Sequence, residues 1–272
     1  MTKSKKRTSP LLTIFIFAVI CVLITALIVF LMGYRYTSAE GGVKFFGKYK
    51  NGLPYSGTVY YPNGLRAELD FESNTITYNN GDIYQGEING ILRNGIGTMS
   101  YYSTGESYFG PFVNDKITGI GTYYFSNNTI YNGSLINNKK DGYGEITYAD
   151  GSSYKGNFSN DMMNGYGEYI WADGSKYEGN FVNNIKNGIG KYTFATGEIY
   201  NGNWENDMRS GYGEFIWTNN ETYKGDFLNG QMHGNGTYSW PDGRVYTGYF
   251  ENGKIVVKED WKVFIYNGKL YF

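Results

Sequence analysis

Residues 154–176 read Tyr154-Lys-Gly-Asn-Phe158, Ser159-Asn-Asp-Met-Met-Asn164, Gly165-Tyr-Gly-Glu-Tyr-Ile-Trp171, Ala172-Asp-Gly-Ser-Lys176. The first and third pieces alternate large or small apolar residues with polar ones, the period of a half-buried strand. The second is a turn-rich connection, and the fourth holds an Asp173-Gly174 pair that tolerates positive φ. Two strands and two turns in one stretch read as a link of an antiparallel hairpin meander.

The phrase repeats in both directions. Tyr-x-Gly recurs at Tyr84, Tyr108, Tyr131, Tyr154, Tyr177, Tyr200, Tyr223 and Tyr246, stepping 24 once and 23 thereafter. Gly-x-Gly follows the first seven at Gly95, Gly119, Gly142, Gly165, Gly188, Gly211 and Gly234. A fixed period of this size marks a repeat array. The fold class is therefore all-β, an elongated antiparallel meander of tandem hairpins with a 23-residue period.

Strand side chains alternate faces, so the columns can be sorted. One face takes Tyr154, Gly156, Phe158, Gly165, Gly167, Tyr169 and Trp171, with an aromatic column at Tyr101, Phe125, Tyr148, Trp171, Phe194, Trp217 and Trp240. This face is expected to be the core. Its glycines, which ordinarily weaken strands, leave bare backbone on which a ring can lie flat. The other face is mostly polar, but the column between the paired glycines is not: Ile96, Ile120, Tyr143, Tyr166, Ile189 and Tyr212, broken by Asn235. Those six residues are the candidate partner-binding stripe.

The ends differ from the middle, as arrays require. Between Phe45 and Ile83 only fragments survive, such as Tyr55-Ser-Gly57 and Tyr61-Pro-Asn-Gly64. Residues 34–83 therefore read as a juxtamembrane segment with atypical leading hairpins, and 84–253 as the array. Pro111 stands awkwardly within a strand, since it cannot donate to a ladder. At the far end, Asn267-Gly268 between Val263-Phe-Ile-Tyr266 and Lys269-Leu-Tyr-Phe272 predicts a capping hairpin over 254–272 that covers an open edge.

Ahead of all this lies a short basic head, residues 1–10, with Lys3, Lys5, Lys6 and Arg7, then an uncharged apolar run from Leu11 to Met32. The run exceeds the ~20 residues that span a bilayer, and Tyr34 and Tyr36 sit where interfacial aromatics gather. A cleaved signal has an apolar region of only about 7–15 residues, although Thr37-Ser38-Ala39 would serve as a cleavage site. Lipid attachment at Cys21 is disfavoured by the bulky Ile20 before it. The expectation is an uncleaved single-pass helix over 11–33. Four basic residues before it, against Arg35 alone just after, place the head in the cytoplasm and the repeats outside, at a cell membrane.

From Tyr36 onward, 19 basic residues face 25 acidic ones, a net of −6, so neither a basic footprint for nucleic acid nor a polybasic surface for anionic lipid is expected. Cys21 is the sole cysteine, which excludes a disulfide within the chain and a thiolate zinc site. Catalytic chemistry is equally sparse. His233, the one histidine, occupies a turn slot filled elsewhere by Asn94, Thr118, Asp141, Asn164, Asn187 and Ser210. Glu145, Glu168 and Glu214 share a column that could suggest paired-acid glycan hydrolysis, but they lie on a solvated face. Asp150, Asp173 and Asp242 could suggest calcium, yet each belongs to an Asp-Gly turn. No enzyme activity, cofactor or metal is expected.

Written as Tyr-x-Gly-x-[Phe/Trp]-x-Asn-x4-Gly-x-Gly-x-[Tyr/Phe]-x-[Trp/Phe]-x-[Asp/Thr/Asn]-Gly, the phrase resembles the MORN (membrane occupation and recognition nexus) repeat. Tyr177-Glu-Gly-Asn-Phe181 with Gly188-Ile-Gly190, and Tyr200-Asn-Gly-Asn-Trp204 with Gly211-Tyr-Gly213, carry the likeness. It implies an elongated hairpin meander and no single activity, since such repeats serve as scaffolds, dimerisation modules and proposed lipid binders. The expected function is a non-enzymatic, membrane-anchored scaffold for protein–protein interaction or self-association. The alternatives are a cell-surface glycan or polymer module and a phospholipid-headgroup module.

Overall fold

The computed structural model describes residues 9–257, 264–266 and 269–271. It divides into two units, one ending at Asp115 and one beginning at Lys116, a division that falls within the repeat starting at Tyr108. Most of the basic head lies outside the described residues.

The first unit opens with helix α1 (Pro10–Leu31), none of whose residues is buried. It is long and apolar enough to cross a membrane. Gly33, at φ +86°, ends it, as glycine does just past a helix. Arg35 then folds back: its Nη1 donates to the Phe30 carbonyl at 3.1 Å, and its guanidinium lies 3.9 Å over the Phe30 ring. Tyr49 N–H donates to the Gly33 carbonyl at 3.1 Å, so the helix end is tied directly to the sheet.

Eight strands follow in this unit: β1 (Tyr34–Ser38), β2 (Lys44–Lys50), β3 (Leu53–Tyr60), β4 (Arg66–Asp70), β5 (Thr75–Tyr78), β6 (Ile83–Asn89), β7 (Leu92–Tyr101) and β8 (Glu106–Val113). Each pairs antiparallel with the next. The leading segment hides a repeat in disguise. Phe45 takes the ring position over Gly47 and Gly57, and Asn51-Gly52 forms the two-residue turn at φ +53° and +80°. Phenylalanine in place of tyrosine is what masked this unit in the sequence.

The second unit holds β9 (Lys116–Ile117), β10 (Gly119–Tyr124), β11 (Ile130–Ile136), β12 (Lys139–Thr147), β13 (Ser153–Ser159), β14 (Met162–Ile170), β15 (Lys176–Val182), β16 (Ile185–Thr193), β17 (Ile199–Glu205), β18 (Met208–Ile216), β19 (Thr222–Leu228), β20 (Gln231–Ser239), β21 (Val245–Glu251) and β22 (Lys254–Ile255). From β10 onward it is a plain antiparallel meander, neighbour to neighbour. Two short strands, β23 (Phe264–Tyr266) and β24 (Lys269–Tyr271), pair with each other; their connecting turn lies outside the described residues.

Within a repeat the Tyr-x-Gly tyrosine is the structural centre. Tyr154 is fully buried, its ring flat against the Gly156–Gly167 pair, and its hydroxyl donates to the Asn157 carbonyl at 2.9 Å. Phe158 meets it edge-on at 5.1 Å and Phe181 of the next repeat at 5.3 Å. Each such ring contributes ~1.5–3 kcal/mol of burial, which offsets the glycine cost of ~1 kcal/mol or less. Tyr84, Tyr108, Tyr131, Tyr177, Tyr200, Tyr223 and Tyr246 are buried in the same way.

Three sequence expectations are corrected here. The column of Trp171, Phe194, Trp217 and Trp240 is half-buried, not core, because among the described residues no second layer of structure covers that face. Gly165 does not host a ring; it stands at φ +91° beside a bulge, where the pairing of β13 with β14 skips from Gly156 to Phe158. The connection drawn over Ser159–Asn164 shrinks to a two-residue turn, Asn160 and Asp161, at φ +49° and +72°. Pro111 fits because it occupies the column of that bulged asparagine, where a missing donor is tolerated.

Candidate interaction surface

On the side of the sheet away from the buried tyrosines, the stripe residues of the second unit stand clear of it. Ile120 is 75% exposed, and Tyr143, Tyr166, Ile189 and Tyr212 are 57–67% exposed. Ile96 holds the same position in the first unit at 47% exposure. Across the strands four stripe residues face an asparagine or aspartate: Tyr143 opposite Asn157, Tyr166 opposite Asn180, Ile189 opposite Asn203, Tyr212 opposite Asp226; Ile120 faces Ser134 and Ile96 faces Pro111. The asparagines are held by the bulge. Asn157, Asn180 and Asn203 each donate a side-chain N–H to the carbonyl of the next stripe residue, at 3.0–3.4 Å. The surface is therefore a ladder of apolar rungs and fixed amides. Between Ile189 and Tyr212 lies an open depression of ≈ 300 Å³, floored by Gly202 and Gly213.

The carboxylates beside this stripe are engaged. Glu145 pairs with Lys155 at 3.8 Å, Glu168 with Lys176 at 2.7 Å, and Glu214 with Lys224 at 3.1 Å. Lys176 also reaches Glu178 at 3.1 Å, and the Glu168 and then Glu178 hydrogen bonds raise its amine. Asp150 and Asp173 each accept the hydroxyl and the N–H of the serine two residues on, which holds both carboxyls below their usual range. His233 rests edge-on to Tyr249, ring centres 6.1 Å apart. No group of three metal-ligating side chains occurs among the described residues.

The tyrosine face carries a column that the sequence reading missed. Lys140, Lys186 and Arg209, two residues before each Gly-x-Gly, lay their charges over rings. The Lys186 amine is 4.8 Å from Trp204 and 5.2 Å from Tyr192, and burial there lowers its basicity. Arg209 lies 5.1 Å from Phe215, beside a hollow of ≈ 320 Å³ that includes Trp217 and Phe227. Their spacing of 46 and 23 residues, whole multiples of the repeat period, was the available signal.

Seven tandem copies of the MORN repeat profile match the chain, over residues 84–105, 108–130, 131–153, 154–176, 177–199, 200–222 and 223–243. The chain belongs to the MORN repeat family. No curated protein matches it. Among solved structures, the MORN chain is similar to the TCP10 domain of Danio rerio CPAP in complex with a peptide of Danio rerio STIL. That match has 17% identity and a TM-score of 0.45, covering 82% of this chain and 97% of that one. A Drosophila melanogaster SAS-4 TCP domain matches at 13% identity and a TM-score of 0.24, covering 80% and 90%.

Proposed function

We propose that this MORN protein is a non-enzymatic, membrane-anchored scaffold. Its second unit captures a protein partner, or a second copy of the chain, along Ile120, Tyr143, Tyr166, Ile189 and Tyr212. The observation that carries the reading is the exposure of that in-phase apolar column on a mostly polar face. Exposed apolar patches of this kind mark interaction sites, and tyrosine supplies contact area while its hydroxyl stays wet. A non-enzymatic role is supported by the pairing of Glu145, Glu168 and Glu214 with lysines.

The test is a pair of double variants in the complete chain. Tyr166→Ser with Tyr212→Ser should weaken self-association in sedimentation, or photo-crosslinking to a partner in native membranes, by about tenfold or more, the scale of a hot spot. Its melting temperature should hold, whereas Tyr177→Ser with Tyr223→Ser should melt earlier. Equal melting losses in the two pairs, or unchanged association, would reject the stripe.

A second reading rests on the half-buried rings of the opposite face. Trp171, Trp217 and Trp240 there could stack on a surface glycan, and Trp171→Ala with Trp217→Ala should then abolish retention on isolated polysaccharide. A lipid-binding role for the repeats fits poorly with the acidic excess after Arg66.

The anchor is α1, and its proposed orientation keeps the head cytoplasmic. Flanking charge gives that orientation little margin. Within the ~15–20 residues over which it acts, Lys3, Lys5, Lys6 and Arg7 are matched by Arg35, Lys44, Lys48 and Lys50. Protease added to intact cells should remove the repeats; full protection would reverse the orientation.

A further inference from the structure

Charge is distributed very unevenly along the chain. Residues 34–66 hold five basic residues against Glu40 alone, a net of +4. From Ala67 onward, fifteen basic residues face twenty-four acidic ones, a net of −9. The cationic stretch is the one joined to α1, separated from it by only Met32 and Gly33 and tied back through Arg35 and Tyr49.

Strand register gathers Lys44, Lys48 and Arg66 on one face. Tyr36 pairs with Phe46 and Ser38 with Lys44 across β1 and β2, and Lys44 pairs with Tyr60 across to β3. Tyr34 stacks on Phe46 at 5.6 Å, with the Lys48 amine 5.8 Å from the Tyr34 ring. Arg66 lies 5.7 Å from the Tyr60 ring. Tyr36 is 63% exposed, and Phe46 and Tyr60 are about 40% exposed. Tyr36, Lys44, Phe46, Tyr60, Tyr61 and Pro62 line an open, largely apolar hollow of ≈ 760 Å³. The patch ends at β4, where Glu68 and Asp70 take over; Glu68 accepts the Thr58 hydroxyl at 2.9 Å, and Glu72 that of Tyr55 at 2.7 Å.

We infer that this face of β1–β3 is a membrane foot, seated on the anionic phospholipid headgroups of the bilayer that α1 crosses. Aromatic rings interleaved with lysine and arginine are what a headgroup layer selects: the rings settle at the apolar boundary, and the cations meet lipid phosphates. A two-residue link leaves the patch no route away from that layer. The acidic remainder is repelled by the same lipid, which assigns lipid contact to the foot rather than to the units from Tyr84 onward. This inference rests on α1 being inserted.

The complete chain in nanodiscs, with Cys21→Ala, separates the two claims. Single dye-labelled cysteines are placed at Ser38→Cys in the foot, Thr147→Cys in the second unit and Leu27→Cys in the helix. A headgroup-attached quencher should quench the Ser38 label several-fold more than the Thr147 label in phosphatidylglycerol discs. That difference should fall in zwitterionic discs, and with Lys44→Gln, Lys48→Gln and Arg66→Gln together, while the β circular dichroism is unchanged. An acyl-chain quencher reports the Leu27 label. A Leu27 label out of its reach removes the anchor and the foot together. An inserted Leu27 label with a Ser38 label no better quenched than Thr147, or indifferent to lipid charge, overturns the foot alone.

Discussion

A Cβ built on Gly167 falls 2.5 Å from Cε2 of Tyr154 and 2.6 Å from its Cζ, closer than real side chains approach. Gly167→Ala should therefore push the ring off its seat and cost about 1–3 kcal/mol in denaturant unfolding, the range of an overpacked core. Gly165→Ala fails for another reason, since its nearest neighbour is a tolerable 3.5 Å away but its φ is +91°. The left-handed penalty of about 1–2 kcal/mol applies there. The seated rings also make stability pH-dependent. Burial pushes the phenols of Tyr84, Tyr108, Tyr154 and Tyr200 up to about 12. The unfolded chain releases those protons near pH 10. Below that pH both states are neutral and stability is unaffected. Between about 10 and 12 the unfolded state binds fewer protons, so stability falls as pH rises. Urea midpoints should be flat up to about pH 10 and drop above it; a flat profile to pH 12 would contradict the burial.

At the level of the hairpin, the turns do more than reverse the chain. Asn184 donates its N–H to the Met163 carbonyl at 2.9 Å and accepts the Met163 N–H on its side chain at 2.7 Å. The same two-way clasp joins Asp161 to Lys140, Asp207 to Lys186 and Asn138 to Ile117. Asn184→Gly keeps the positive φ and loses the side-chain arm, an expected cost of about 1 kcal/mol. The array supplies the reverse experiment, because Gly230 stands at this position without an arm and has open space around its missing Cβ. Gly230→Asn should raise the unfolding midpoint by up to about 1 kcal/mol; a loss would mean that the clasp is not stabilising. The clasp shows where sequence reading stopped. Gly-x-Gly and Asp-Gly drew attention because glycine advertises unusual backbone, whereas Asn160-Asp161 reaches the same left-handed region with ordinary polar residues. The strand was therefore begun at Gly165, three residues later than its start at Met162.

For the chain as a whole, period and face were legible because every repeat votes for the same register. The 23-residue step, the polar face and the stripe are all averages over many copies. Features carried by one copy were not legible. The Phe45 repeat differs from the motif at its first letter, and the basic foot disappears into a remainder whose total from Tyr34 on is −5. The exposed helix sets a further expectation. A chain beginning at Tyr34 should stay in solution without detergent and show β circular dichroism. The complete chain should pellet with membranes and resist extraction by ~1 M salt, which screens charge but leaves apolar insertion intact. Release by salt would reduce α1 to a peripheral contact.

One consequence of the register concerns inheritance. Gly144 pairs with Gly156 as Gly167 pairs with Gly179, so a deletion of residues 154–176 would let β12 meet β15 with every rung matched. Nothing else in the second unit would need to change. The gene can thus lose or duplicate a block of this size without passing through a misfolded intermediate, each step removing or adding two strands, roughly 10 Å of ladder, and one rung of the stripe. The reach of the protein is then a quantised trait, open to selection in whole units, while an extra residue is absorbed only in a turn, as between Tyr84 and Tyr108.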